Sequence, residues 1–388
     1  MAQDWLPAAP ALSRADVWRQ IAVDAYGKEV ESAATYSYTW LADQVGHMGL
    51  GILLAFATIL LAGLLPLPFD NHLVSGAFVR ELAGFLVAVG LVCYWELSTY
   101  RSSVKEAAGG QFPLQKPLLQ ANAIVAALYM SIGAAMGWCL HLDWWLSVPL
   151  ILLLIGAALL IALPWVRQKM IWQKAALPYL NRMANMPPSM PDDVAAALWA
   201  IVEAEPPVGR SGTPRHVVVA GPVGSGRTRL ASSIGTEHAF KSRSVRYMPF
   251  GVLADCGAAC DFGWGQQGPS NINYWSWSQS QVLIVDDIGP FLDATARPGE
   301  TLQETLERLL ETLLGPIREQ IGLRSTVWLV GEVGASANAH LGDLAGALGA
   351  FLKAPEPPLT VLLRPPVLPM MGLRPARAPA AAAREPAE

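Results

Sequence analysis

The sequence predicts two unlike units in series: an α-helical membrane domain of four transmembrane helices, then an α/β domain built on a five-stranded parallel sheet. Three observations carry this. Almost every long stretch between Gly46 and Val166 is apolar. From Arg167 onward, charged residues, glycines and prolines return at the density of a water-soluble domain. Beyond Pro214, short β-branched runs alternate with helical patterns, the arrangement of a parallel sheet covered on both faces. A chain of 388 residues has room for two domains, so its mean hydropathy of +0.33 averages two different halves.

Residues 48–67, 82–98, 121–140 and 146–166 have the apolarity and roughly the 20 residues needed to cross a hydrocarbon core of about 30 Å. Orientation follows from basic residues in the short flanking segments. Arg14, Arg19 and Lys28 precede the first span, Arg101, Lys105 and Lys116 separate the second from the third, and Arg167, Lys169, Lys174 and Arg182 follow the fourth. The other two loops hold only Arg80. The expectation is a multi-pass protein of the inner (cytoplasmic) membrane with both termini cytoplasmic and Trp144 and Trp145 at the outer interface. The N-terminus lacks a basic segment leading into a short apolar run, so it does not read as a secretory signal, and the first span serves as the insertion signal.

Ahead of the first span, Ser13 and Asp16 form a helix start, and Val17, Trp18, Ile21, Ala22 and Ala25 recur on one face, as in an amphipathic helix on the inner membrane surface or against the soluble domain. Asp43 and His47 lie four apart where the first span begins, and Glu96 lies near the end of the second. Ionisable groups there are costly unless paired or functional, so they read as polar anchors or as a proton, metal or lipid site. The Asp43-x3-His47 pattern with Glu96 weakly resembles VanZ-like proteins over the first two spans.

Net charge is only −4, with no run of lysine or arginine, so there is no electrostatic signal for nucleic acid. The four cysteines, Cys93, Cys139, Cys256 and Cys260, suggest no disulfide framework, and Cys256 with Cys260 are too few ligands for zinc. The resulting division is 1–42, an amphipathic N-terminal segment; 43–167, the membrane domain; 168–214, a helical and proline-rich linker; 215–365, the α/β domain; and 366–388, a disordered Pro/Ala-rich tail.

The strand at 216–220 runs into Gly221-Pro222-Val223-Gly224-Ser225-Gly226-Arg227-Thr228 and then a helical stretch from Arg229. This strand, glycine-rich loop and helix fits a P-loop, with arginine where lysine is usual. Glycines let the backbone turn tightly and aim N–H groups at phosphate oxygens, and the helix N-terminus adds its positive dipole end. Thr228 supplies a hydroxyl for Mg2+ and Arg227 a charge for the β- and γ-phosphates. Arginine's planar fork suits binding better than transfer. A second apolar run, 282–285, ends in Asp286 and Asp287: Asp286 as the Mg2+ ligand, Asp287 as the catalytic carboxylate that polarises water.

Further strands are expected at 244–250, 326–330 and 359–363, and an amphipathic helix at 301–321. The strand bearing Asp286 is the third of five, and the fourth is expected between it and the first. Trp264, Trp275 and Trp277 read as aromatic packing or a binding loop.

On the strings GPVGSGRTRLA and VLIVDDIGPFLD, residues 215–364 resemble AAA-type P-loop ATPases, most of all the small helicase-loader and transposition-helper members. The resemblance implies a P-loop NTPase fold that takes ATP with Mg2+, contacted by Gly221, Gly224, Ser225, Gly226, Arg227, Thr228 and Arg229, with a polar sensor at Gly331 and Glu332. It also implies a homo-oligomer. Yet no arginine lies between Glu332 and Lys353 to serve a neighbour's site; Arg318 and Arg324 are the spare candidates for that role and otherwise read as surface or helix-end charges. After Leu363 the proline- and alanine-rich composition does not suit a helical lid. The function expected is a membrane-anchored ATPase acting on its own membrane domain or on a protein partner; the alternatives are a non-hydrolysing nucleotide sensor or scaffold, and an intramembrane proton, metal or lipid site at Asp43, His47 and Glu96 regulated by the ATPase domain.

Overall fold

The structure is a computed structural model that describes residues 12–26, 36–64, 76–107, 110–113, 115–187, 189–207, 212–256, 275–331 and 337–364. The helical unit comprises α1 (Arg14–Tyr26), α2 (Tyr36–Gly63), α3 (Gly76–Ala107), α4 (Lys116–Cys139) and α5 (Trp144–Lys174). The α/β unit follows as α6 (Asp192–Glu203), β1 (His216–Ala220), α7 (Arg227–Phe240), β2 (Val245–Pro249), α8 (Phe250–Cys256), β3 (Val282–Asp286), α9 (Gly289–Thr295), α10 (Leu302–Leu314), α11 (Arg318–Gly322), β4 (Ser325–Leu329), α12 (Ala337–Leu352) and β5 (Leu359–Leu362).

Helices α2 to α5 are long and apolar enough to cross a membrane; α3 and α5 run past both ends of the spans expected from sequence, whereas α2 and α4 start earlier but stop at Gly63 and Cys139, short of the expected 67 and 140. Their outward faces stay apolar and exposed, as at Leu53, Leu60, Leu153 and Leu160, the surface that lipid rather than water covers. Inside the bundle the contacts depend on small residues. A Cβ placed on Gly133 of α4 would lie 2.0 Å from the Met48 carbonyl oxygen of α2, and one on Gly51 of α2 would lie 2.0 Å from that of Met130. The pairs Gly51 with Ala55 and Gly133 with Gly137, each four apart, therefore let α2 and α4 touch backbone to backbone. Tyr129 of α4 donates to the Ala158 carbonyl of α5 at 2.7 Å, satisfying a buried hydroxyl between helices.

The Ser13 and Asp16 helix start is a reciprocal cap: Ser13 N–H reaches Asp16 Oδ2 at 3.0 Å and Asp16 N–H reaches Ser13 Oγ at 3.2 Å. Val17 and Ile21 of α1 pack against Ala162, Val166 and Met170 of α5, while Trp18 is exposed.

The sheet is wholly parallel in the order β2-β3-β4-β1-β5, with β4 between β3 and β1 as expected. Alternate residues feed two cores. Val218, Ala220, Leu283, Val285 and Trp328 face the layer of α10 and α12. Val217, Val219, Ile284, Val327 and Leu329 face Leu230, Ala231 and Ile234 of α7. The segment read as a linker belongs to this second core, through Ile171, Trp172, Leu177, Met183, Met186 and Leu198. The helix expected at 301–321 is instead α10, a 3-10 turn at Gly315–Ile317, and α11. Pro316 lacks the N–H that a continuous helix needs. Helix α12 was not expected from sequence.

We expect Gly133→Ala to overpack α2 against α4 at a cost of about 1–3 kcal/mol, seen as a lower melting temperature of the detergent-solubilised protein. Gly156→Ala, where a Cβ meets nothing within 4 Å, is the control and should leave it unchanged.

Candidate functional site

The glycine-rich loop leaves β1 and turns into α7 through two left-handed residues, Gly224 (φ +80°) and Gly226 (φ +89°), a conformation side chains resist. The first-turn amides of α7 have no intrahelical acceptor and point into the loop. Ser225 Oγ is buried and has no hydrogen-bond partner among the described residues. A cavity of about 530 Å³ opens beside the loop, lined by Gly224, Gly226, Arg227, Thr228 and Arg229 on one side and Tyr179, Leu180 and Asn181 on the other. An orphaned hydroxyl beside free amides fits an anionic ligand such as a phosphate.

Asp286, at the end of β3, is buried and closes the other side of the loop. Its Oδ2 accepts from Thr228 Oγ1 at 3.1 Å and from the Tyr247 phenol of β2, and its Oδ1 accepts from the Asp287 N–H at 2.7 Å. The Tyr247 hydroxyl is held well above its ordinary pKa by burial and then by the Asp286 carboxylate, so it stays a donor. Asp287 adopts a left-handed backbone at φ +61°, rare for a residue with a side chain. Partial desolvation, then the adjacent Asp286 charge, raises the Asp287 pKa above the usual aspartate value, opposed by the Arg227 charge.

Arg227 folds across the sheet end: its Nη1 donates to the Val330 carbonyl at 3.2 Å, beside Gly331. Arg229 turns away, toward Asn181 Oδ1 at 3.4 Å and the Asn185 carbonyl at 3.3 Å. A Cβ on Gly221 would lie 2.6 Å from Ser225 Oγ, so that glycine keeps the loop closed. The structure thus brings together Gly221, Gly224, Ser225, Gly226, Arg227, Thr228, Asp286 and Asp287. Glu332 lies outside the described residues, as do Cys260, Trp264 and the 366–388 tail.

Two residues were missed by sequence reasoning. Tyr247 sits mid-strand in no motif, and only the parallel pairing of β2 with β3 carries it to Asp286. Tyr179 lies in the stretch read as linker. Arg324 is a helix-end charge but a buried one, donating to the Ser278, Ser280 and Gln320 carbonyls, so it does not point at a neighbour. Trp275 and Trp277 are buried in separate cores. His216 and His238 are pushed down by burial to about 4 and about 3, the latter also by Arg243 and Lys241, which leaves both neutral.

Asp43, His47 and Glu96 share a second cavity, of about 300 Å³, in the helical unit. No group of three or more His, Cys, Asp or Glu able to hold a metal ion occurs among the described residues. No protein-family model matches the chain, and no curated protein matches it either.

Because the folded state keeps Asp287 protonated to a higher pH than the unfolded chain does, this group favours folding at low pH and loses that contribution as pH rises through the raised value. Asp287→Asn, which also tolerates the left-handed backbone, is expected to raise the melting temperature by a few degrees at pH 7, with the gain vanishing in acid below the aspartate range. A gain unchanged across that pH range contradicts the assignment.

Proposed function

We propose that the chain is a membrane-anchored P-loop ATPase that binds Mg-ATP at 221–229 and transmits nucleotide state to its helical unit. The observation that carries this reading is the Thr228–Asp286 pair, which joins the start of α7 to the end of β3 at 3.1 Å beneath a loop whose buried Ser225 Oγ has no partner among the described residues. Thr228 Oγ1 and Asp286 would hold Mg2+, which when bound neutralises charge between the outer phosphates. Ser225 Oγ and the amides of Gly224 to Thr228 bind phosphate oxygens. Arg227 swings from the Val330 carbonyl toward the terminal phosphate. Asp287 orients water for attack, and Glu332 follows β4 as the sensor carboxylate. The exposed Tyr179 ring and Leu180 offer an apolar platform for the base.

Hydrolysis by the purified full-length protein tests this. Asp286→Ala and Asp287→Asn are each expected to lower turnover by about 10² or more. Turnover insensitive to both would sink the active-site assignment. The alternative, a non-hydrolysing sensor, is favoured by Arg227, whose guanidinium is already engaged by β4. If Arg227 restrains transfer, Arg227→Lys raises turnover while ATP still binds. If the protein is a sensor, wild type binds ATP saturably with negligible turnover.

The same reading places the α/β unit in the cytoplasm. The 110–113 loop, flanked by basic residues, docks on that unit through Phe112 and Gln111, so the basic ends of the helices share its side. Single cysteines introduced at Asp143 and at Glu203 are expected to label from outside and only after lysis, respectively. The reverse pattern inverts the topology.

A further inference from the structure

The second cavity lies at the end of the helical unit facing the α/β unit, with walls from four helices: Asp43, Gln44 and His47 of α2, Glu96 of α3, Asn122 of α4 and Lys169 of α5. Its polar groups are poorly matched to one another. Glu96 is only 8% exposed and has no hydrogen bond or ion pair among the described residues. Gln44, 5% exposed, donates its Nε2 to Asp43 Oδ2 at 3.0 Å and leaves its buried Oε1 without a donor. His47 Nδ1 is 2.8 Å from the Asp43 carbonyl oxygen and 3.6 Å from Asp43 Oδ2, so this pair is turned on itself. Lys169 also lines the cavity, with its ammonium over the Phe240 ring, 5.4 Å from the centroid, and no carboxylate lies within 4.0 Å of it among the described residues.

Buried acceptors without donors call for a ligand that brings N–H groups, and the lysine in the lining calls for an anion on the same ligand. The absence of a metal-holding cluster among the described residues turns the choice from a metal ion to an organic cation. These positions fall where the apolar cores of the helices end, the depth at which lipid headgroups sit. We propose that the cavity binds a phosphoethanolamine group, its ammonium held by Glu96 and Gln44 Oε1 and its phosphate by Lys169, supplied by an aminophospholipid of the surrounding leaflet.

The test is thermal unfolding of the full-length protein in mild detergent, titrated with phosphatidylethanolamine, with phosphatidylcholine of the same acyl chains, or with free phosphoethanolamine. The quaternary ammonium of phosphatidylcholine carries no N–H donor. The ethanolamine lipid is expected to stabilise at concentrations at least tenfold lower than the choline lipid; Glu96→Gln should erase that difference, whereas Lys169→Gln should weaken both lipids together. Free phosphoethanolamine matching the lipid would support the site while identifying a soluble source. Equal effects of the two lipids on wild type, a comparison that needs no variant to fold, overturn the proposal, as does selectivity that survives Glu96→Gln.

Discussion

The structure depends on the continuity of one helix. Helix α5 has 31 residues, about 46 Å at helical rise, against a hydrocarbon core of about 30 Å. The excess enters the α/β unit as part of its packing rather than as a tether. Gln168 donates to the Phe240 carbonyl at 3.0 Å, and Trp172 Nε1 to Thr236 Oγ1 at 3.1 Å, both on α7. One residue past the helix, the Ala175 carbonyl accepts the Tyr247 N–H of the edge strand β2 at 2.9 Å. Arg182 then clamps Glu237, 1% exposed, through two hydrogen bonds of 2.7 and 2.9 Å. Removing one partner of such a buried pair typically costs 3–5 kcal/mol, because it strands the other charge. The α/β unit cannot rock on the bundle at this joint without breaking these contacts.

That joint also lies one residue from the chemistry. Tyr247, whose backbone N–H is held by Ala175, is the residue whose phenol bonds Asp286. These two bonds make a continuous run of contacts from the Asp286 carboxylate through β2 to the end of α5. Helix α7 makes the second connection, since its N-terminus forms the loop and its later turns carry Thr236, Glu237 and Phe240. The bundle end of α5 meets α2 and α4, which are packed backbone to backbone by their glycine contacts, so packed elements rather than loose side chains link the two units.

Much of this was legible in the sequence, for reasons that differ by element. The apolar spans and the five strands were readable because lipid and a two-sided parallel sheet both demand continuous apolar runs. The turn between β1 and α7 was readable because Gly224 and Gly226 supply the left-handed backbone it needs, and Asp286 because it ends a continuous apolar strand. Helix α12 was not, since Gly342, Gly346 and Gly349 dilute its pattern and glycine is a poor helix former. Nor were the tight approach of Gly51 and Gly133, Tyr247 and Tyr179, whose roles come from contacts between distant parts of the chain. The proline-rich stretch after α5 misled for a similar reason: its methionines are core residues, but proline spacing hides any periodicity.

Hydrogen exchange on the full-length protein, with and without Mg-ATP, tests the central claim most directly. The expected result is slowed exchange of the amides of residues 224–228, dependent on Mg2+, together with changed exchange at the end of α5 and in β2. Exchange at 224–228 that is unaltered by saturating Mg-ATP contradicts the account.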